Sequence, residues 1–99
     1  MKRTRDEEKP ECISCRASIS NKFGLHGRAA AKLVETATLF ASQIRLVRGD
    51  CEVDCKSILD VMSMACTQGT DVILKAQGSD ANEALQAIKE LFHDKFGEE

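Results

Sequence analysis

The chain has no tryptophan and no tyrosine, and phenylalanine, with four copies among 99 residues, is its only aromatic side chain. A chain of this length supports one domain with one modest core. Since 42% of the residues are hydrophobic, that core must be mainly aliphatic. The sequence also lacks an excess of basic residues. Its net charge of −2 argues against a general nucleic-acid binder, which needs a basic surface stripe.

Long apolar segments are also absent. No apolar run reaches the roughly 18 residues of a membrane span, so we expect no membrane insertion. The first ten residues hold seven charges and no apolar stretch of the kind found in a secretory signal. We therefore expect a cytoplasmic protein. Residues 1–10 are predicted to be a charged, flexible tail, and residues 11–99 a single domain.

The five cysteines are Cys12, Cys15, Cys51, Cys55 and Cys66. An odd number in a chain without an export signal indicates reduced thiols. Cys12 and Cys15 form half of a zinc or redox motif, but no second pair accompanies them. Side chains three apart in a strand also point to opposite faces, so the two thiols could not chelate one ion without distortion. We predict structural cysteines and no metal or cofactor, with a metal or redox module as the alternative.

The hydrophobic pattern changes its period along the chain. Alternation with period two predicts strands, and apolar residues at helical spacing predict helices. The predicted strands are 13–19, 43–47, 51–55 and 71–76, and the predicted helices are 28–40, 56–69 and 80–92. Gly69 is the expected stop of the second helix, and Asp80 is a start signal of the third. The order β-α-β-β-α-β-α predicts a two-layer α+β sandwich with a four-stranded antiparallel sheet and one open face.

The second predicted helix breaks the amphipathic pattern. It opens at Ser57 with Asp60 three residues on, which resembles a capping box. Its apolar residues lie on nearly every side: Ile58, Leu59, Val61, Met62, Met64 and Ala65. A small helix on one sheet cannot bury them all, so an exposed apolar patch for a partner is one interpretation. A short helix wedged deep in the core is the other.

A histidine between two glycines stands where the first loop turns into the first helix. His26 combines a nucleophilic imidazole with the unpaired N–H groups of Gly27 and Arg28 and with the cationic guanidinium of Arg28. This combination would suit a reversible phosphoryl acceptor, because imidazole exists in both protonation states near neutral pH. An ordinary surface histidine at a helix start is the alternative. His93, in the third helix, has no such surroundings.

Two separate segments resemble the signatures of HPr-type phosphocarriers of the sugar phosphotransferase system. Gly24-Leu25-His26-x-Arg28, followed by Ala30-Ala31, is similar to the family's active-site loop. Lys56-Ser57-Ile58-Leu59-x-Val61-Met62 is similar to its second signature, around a regulatory serine. The resemblance runs from about Cys12 to Phe96 and includes the order of the elements. It implies a four-stranded antiparallel sheet covered by three helices.

The resemblance also implies a function. His26 would accept a phosphoryl group on Nδ1 from phospho-enzyme I and pass it to an EIIA-type protein, with Arg28 facing the phosphate. Ser57 corresponds to the serine that HPr kinase/phosphorylase modifies in some bacteria. Ile58, Leu59 and Met62 fall where the family docks its partners. The protein would be a monomeric, stoichiometric carrier, not a turnover enzyme.

Some features leave other interpretations open. The family usually has proline directly after the arginine. Here an alanine run follows Arg28, and we assign the position of the family's proline to Ala30. Gly27, where many members have alanine or threonine, should loosen the loop further. The end of the chain resembles the nitrogen-related branch, and a purely regulatory paralogue is a further possibility. Gly24-Leu25-His26-Gly27 also matches the G-x-x-G loop of KH domains, although charge, scarce aromatics and loop position argue against RNA binding.

Overall fold

The computed structural model describes residues 12–98, so the predicted tail over residues 1–10 lies outside it. Four antiparallel strands form one sheet in the order β1-β4-β2-β3. Their bounds are β1 Cys12–Ser18, β2 Gln43–Arg48, β3 Cys51–Asp54 and β4 Asp71–Gln77. Three α-helices follow the predicted order: α1 Gly27–Ala37, α2 Ile58–Ser63 and α3 Ala81–His93. A short 3₁₀ turn, Lys95–Gly97, comes after α3.

The sheet buries one face, as the period-two pattern predicts. In β4, Val72, Leu74 and Ala76 are buried and the residues between them are more exposed. Leu74 pairs with Cys15 on β1 and with Leu46 on β2, so the central layer of the core runs across the strands. Helix α3 packs over β1, β4 and β2, and α1 lies beside α3 and α2. The predicted two-layer α+β sandwich is confirmed.

Helix α2 is shorter than the sequence predicts. It ends at Ser63, six residues before Gly69, so the predicted stop is wrong. Met64 and Cys66 are buried, and Ala65 between them takes a left-handed conformation with φ of 51°. After the helix ends, the side chains of Met64 and Cys66 both pack into the core. Gly69 belongs to the turn before β4.

The predicted start signal of α3 has a different role from the expected one. Asp80 is the first flanking residue of α3, but its carboxylate makes no cap within that helix. It instead accepts hydrogen bonds from the Ala41 and Ser42 N–H groups, each at 2.9 Å, and from the Ser42 hydroxyl. The hydrogen bond from Ser42 is the main reason that the pKa of Asp80 is lowered. Asp80 therefore joins the start of α3 to the segment that enters β2.

All five cysteines are free thiols, and Cys12 is exposed whereas Cys15 is half-buried. Burial raises the pKa of the Cys55 thiol to about 12; the Asp54 carboxylate adds to this rise and Arg45 opposes it. Between residues 12 and 98, no group of three histidine, cysteine or acidic side chains lies in an arrangement that could hold a metal ion. Within the same residues, no helix has both the length and the apolarity to cross a bilayer.

Candidate functional site

The loop that leads to His26 is held by the segment that follows α2. The Leu25 N–H donates to the Cys66 carbonyl at 2.9 Å, and the Gly69 N–H donates to the Ile19 carbonyl at 2.7 Å. Leu25 itself is fully buried. The two sequence signatures are thus connected in space, because the chain that leaves α2 supports the loop that enters α1.

Two glycines on either side of His26 adopt left-handed backbone conformations. Gly24 has φ of 72°, and a Cβ there would lie 2.3 Å from the Cys66 carbonyl oxygen. Gly27 has φ of 50°, and apart from its chain neighbours and the backbone of its own helix no atom lies within 4 Å of the place its Cβ would take. Gly24 is therefore required both by conformation and by close approach, whereas Gly27 is favoured by conformation alone. The open space at Gly27 leaves the backbone next to His26 accessible.

His26 is the residue that precedes α1, in extended conformation with φ of −138° and ψ of 167°. Its side chain is exposed and caps no helical N–H group. The Ala29 N–H donates to the His26 carbonyl at 3.2 Å. Within residues 12–98, the N–H groups of Gly27 and Arg28 have no hydrogen-bond acceptor. The first turn of α1 thus offers two donors beside an accessible imidazole.

The surroundings of His26 include two residues that the sequence analysis did not single out. Phe23 is 61% exposed, and its ring stands edge-on to His26, with 6.3 Å between ring centroids. The Lys22 ammonium lies 5.6 Å from the centre of the Phe23 ring. Arg28 is exposed and pairs with no carboxylate in the described part of the chain. An exposed cationic side chain therefore lies both before His26 in the sequence, at Lys22, and after it, at Arg28.

The position of the missing proline needs a correction. Ala29, not Ala30, directly follows Arg28, so the assignment to Ala30 is wrong by one residue. Both alanines are fully buried in the first turns of α1. Alanine has the highest helix propensity, and α1 forms without the proline.

Helix α2 carries the second group of predicted residues. Ser57 is half-buried and its Oγ accepts a hydrogen bond from the Asp60 N–H at 3.3 Å, which confirms the predicted cap. The preceding Lys56 donates from Nζ to the Phe40 carbonyl at 2.7 Å, just beyond the end of α1. Because Lys56 reaches across to that end, it ties the start of α2 to α1, against which α2 also packs.

The apolar surplus of α2 is divided between core and surface. Val61 and Met64 are buried. Ile58, Leu59 and Met62 are 38%, 77% and 41% exposed. The expectation of an exposed apolar patch is confirmed, and the alternative of a helix wedged entirely in the core is wrong. We call these three residues the α2 patch.

One buried polar residue was missed altogether. Asn21 is 0% exposed, and its Nδ2 donates to the Gly24 carbonyl and to the Glu98 Oε1, both at 2.9 Å. The first contact lies within the His26 loop and could have been expected from an asparagine in a turn. The second joins residues 77 apart in the sequence, for which no local pattern gives a signal.

Fold and site together define a small α+β protein with an accessible histidine at an uncapped helix start. The family model described as "PTS HPr component phosphorylation site" matches residues 13–94. The chain therefore belongs to the HPr family, the phosphocarrier proteins of the phosphotransferase system. The resemblance seen in the two sequence signatures is thereby confirmed.

Similar proteins and structures agree with this family. The phosphocarrier protein HPr of Xylella fastidiosa is 44% identical over 82 residues, which cover 83% of this chain and 92% of the relative. The HPr of Cupriavidus necator is 44% identical over 81 residues, covering 82% and 91%. A crystal structure of HPr from Thermoanaerobacter tengcongensis aligns with a TM-score of 0.85 at 44% identity, covering 88% of this chain and 98% of that one. Another structure from that organism is described as an HPr dimer.

Proposed function

We propose that this chain accepts a phosphoryl group on His26 from phospho-enzyme I and passes it to an EIIA-type protein. The observation that carries the proposal is the start of α1, where an exposed imidazole stands beside two N–H donors with no acceptor within the described residues. Membership of the HPr family supports it. Such a carrier turns over nothing by itself, because each molecule holds one group until a partner removes it.

The proposed step exchanges one phosphorus–nitrogen bond for another. A lone pair on the His26 imidazole, at Nδ1 by the family resemblance, attacks the phosphorus of the donor's phosphohistidine. The new P–N bond forms as the donor's P–N bond breaks, and the donor imidazole leaves with that electron pair. No other co-reactant is needed. The group is well suited to onward transfer because the bond gained and the bond lost are of the same kind.

The residues around His26 would bind the transferred group. The N–H groups of Gly27 and Arg28 can donate to phosphate oxygens, and the positive end of α1 favours an anion there. The exposed Arg28 guanidinium can add one or two charge-assisted hydrogen bonds. Since the two N–H donors are part of the helix backbone, they need little reorganisation when charge arrives.

The α2 patch would dock the protein partners. Ile58, Leu59 and Met62 expose apolar surface on a helix that packs against α1. Exposed apolar side chains of this kind mark protein interaction sites, and methionine can adapt to several partners. Ser57 precedes the patch, so a phosphate placed there by a kinase of the HPr kinase/phosphorylase type would add about two negative charges beside it. We further propose that the carrier works as a cytoplasmic monomer.

The decisive experiment incubates the protein with enzyme I and ³²P-labelled phosphoenolpyruvate. We expect acid-labile label on the wild type and none on His26→Ala. The chain has only two histidines, so His93→Ala is the matched control and should take label as the wild type does. Label that persists on His26→Ala, or that is lost with His93→Ala, would move the acceptor away from the start of α1.

A further inference from the structure

The side chain of Asn21 joins the His26 loop to the C-terminal turn. Its Nδ2 group donates one hydrogen bond to the Gly24 carbonyl and one to the Glu98 carboxylate, both at 2.9 Å. We propose that Glu98 is a positioning residue for phosphoryl transfer, acting through Asn21 on the loop that presents His26. This inference rests on the proposed function of His26. It assigns a role to a residue that lies far from the site in sequence.

The backbone after α3 directs Glu98 towards Asn21. Lys95, Phe96 and Gly97 all have positive φ, at 57°, 57° and 76°. Such values are unusual for a bulky residue and persist only where the surroundings enforce them. Phe96 is fully buried, and its ring lies 4.8 Å from that of Phe92. The buried ring therefore holds a turn that would otherwise relax, and Glu98 follows this turn directly.

The same turn also lies against helix α1. A Cβ at Gly97 would be 2.6 Å from the Lys32 Nζ, so the Lys32 ammonium occupies the space beside that glycine. Lys32 lies four residues after Arg28, one turn further along α1. The turn thus touches both elements that flank His26: the loop before it, through Glu98 and Asn21, and the helix after it, through Gly97 and Lys32.

The hydrogen bonds of Asn21 fix the direction of its amide. Two acceptor oxygens face Nδ2, whereas the buried Oδ1 has no partner among residues 12–98. Loss of the Glu98 acceptor would leave the amide held by the Gly24 carbonyl alone and therefore freer to rotate. A rotated amide would release the Gly24 carbonyl. The next N–H along the chain, that of Leu25, is bonded to Cys66 at 2.9 Å, and His26 follows it. Because His26 is only two residues after Gly24, a displacement of the Gly24 backbone would also move the imidazole.

Two substitutions at Glu98 separate this role from a general effect of charge. Glu98→Ala removes the acceptor, and Glu98→Gln keeps an Oε1 that can still accept from Asn21. Glu90→Ala is the control, because Glu90 is exposed on α3 and its side chain makes no hydrogen bond or salt bridge within the described residues. The rate at which a fixed, catalytic amount of enzyme I phosphorylates the carrier is measured over a range of carrier concentrations, which gives kcat and KM with the carrier as substrate. Hydrogen exchange of the Leu25 amide is measured without any partner.

We expect Glu98→Ala to lower kcat for uptake about fivefold to tenfold, with KM unchanged because the α2 patch is untouched. Glu98→Gln should stay within about twofold of the wild type, and Glu90→Ala should match it. Leu25 exchange should be faster in Glu98→Ala only. Uptake at the wild-type rate by Glu98→Ala would overturn the inference, as would an equal loss in Glu98→Gln. If the wild type itself takes no label, the proposed function fails, and unchanged Leu25 exchange would separately refute the Asn21 link.

Discussion

Helices α1 and α2 each follow an extended residue, but the side chains of these two residues behave differently. Both are preceded by an extended residue, His26 at φ of −138° and Ser57 at φ of −116°. The Ser57 hydroxyl accepts a hydrogen bond from the Asp60 N–H and so caps α2. The His26 side chain accepts no hydrogen bond from an N–H group of α1. We call the start of α2 closed, because the Ser57 side chain caps it, and the start of α1 open, because its first N–H groups have no acceptor within residues 12–98 and can bind a ligand. The open start is the one that carries His26, the proposed phosphoryl acceptor.

The open start costs the fold little because water can reach it. The side chains around it are exposed, so the Gly27 and Arg28 N–H groups can bind solvent until an anion replaces it. The loop before it is held instead by Leu25, Gly24 and Asn21. The residues that hold the loop are therefore different from the proposed phosphate donors, and substitutions should separate the two roles.

The largest effect on stability is expected at Gly24. Gly24→Ala forces a left-handed alanine and brings its Cβ against the Cys66 carbonyl, so we expect a loss of more than about 2 kcal/mol in the free energy of unfolding. Gly27→Ala is the matched variant with open space, and it should lose only about 1 kcal/mol. Urea unfolding measures both. Equal losses would show that the close approach to Cys66 does not hold the loop.

The next prediction concerns charge at the closed helix start. Ser57→Asp should keep the fold, because aspartate is also a good cap, and should slow phosphoryl uptake at His26 at least roughly fivefold. The cause is a negative charge beside the α2 patch, where it would repel an acidic partner. Ser79→Asp, at an exposed serine before α3, is the control and should leave uptake unchanged. Uptake by Ser57→Asp at the wild-type rate would refute the regulatory role of Ser57.

The smallest effect compares side-chain removal at the two starts. Ser57→Ala removes a cap and should cost about 1 kcal/mol. His26→Ala removes no cap and should change the free energy of unfolding by less than about 0.5 kcal/mol. The order is reversed for phosphoryl uptake, which only His26→Ala should abolish. Thermal or urea unfolding of both variants tests the comparison, and a larger stability loss at His26 would break it.

The parts of this account that sequence could predict are local. Ser57 and Asp60 are three residues apart, so the cap of α2 follows from spacing alone. The alternation of Val72, Leu74 and Ala76 correctly predicts the buried face of β4. The glycines around His26 indicated a turn before a helix, and the structure has one there. Neighbouring residues are enough to determine each of these features.

The remaining features depend on chain segments that meet only after folding. The bond between Asn21 and Glu98 joins residues 77 apart, and the need for glycine at position 24 arises from the Cys66 carbonyl. Helix α2 ends before the predicted Gly69, and Met64 and Cys66, which follow its end, are buried in the core. The hydrophobic pattern of the sequence gives no signal for these contacts, since they depend on how α1, α2 and the C-terminal turn pack together.

The most direct test of the open helix start is to phosphorylate the ¹⁵N-labelled protein with enzyme I and phosphoenolpyruvate and record its amide and ³¹P NMR spectra. We predict a phosphohistidine signal at His26, with large downfield shifts of the Gly27 and Arg28 amide protons and none at Asp60, whose N–H is already bonded to Ser57. Phosphorylation of His26 that leaves the Gly27 and Arg28 amides unmoved would contradict the account, as would phosphorylation at another residue.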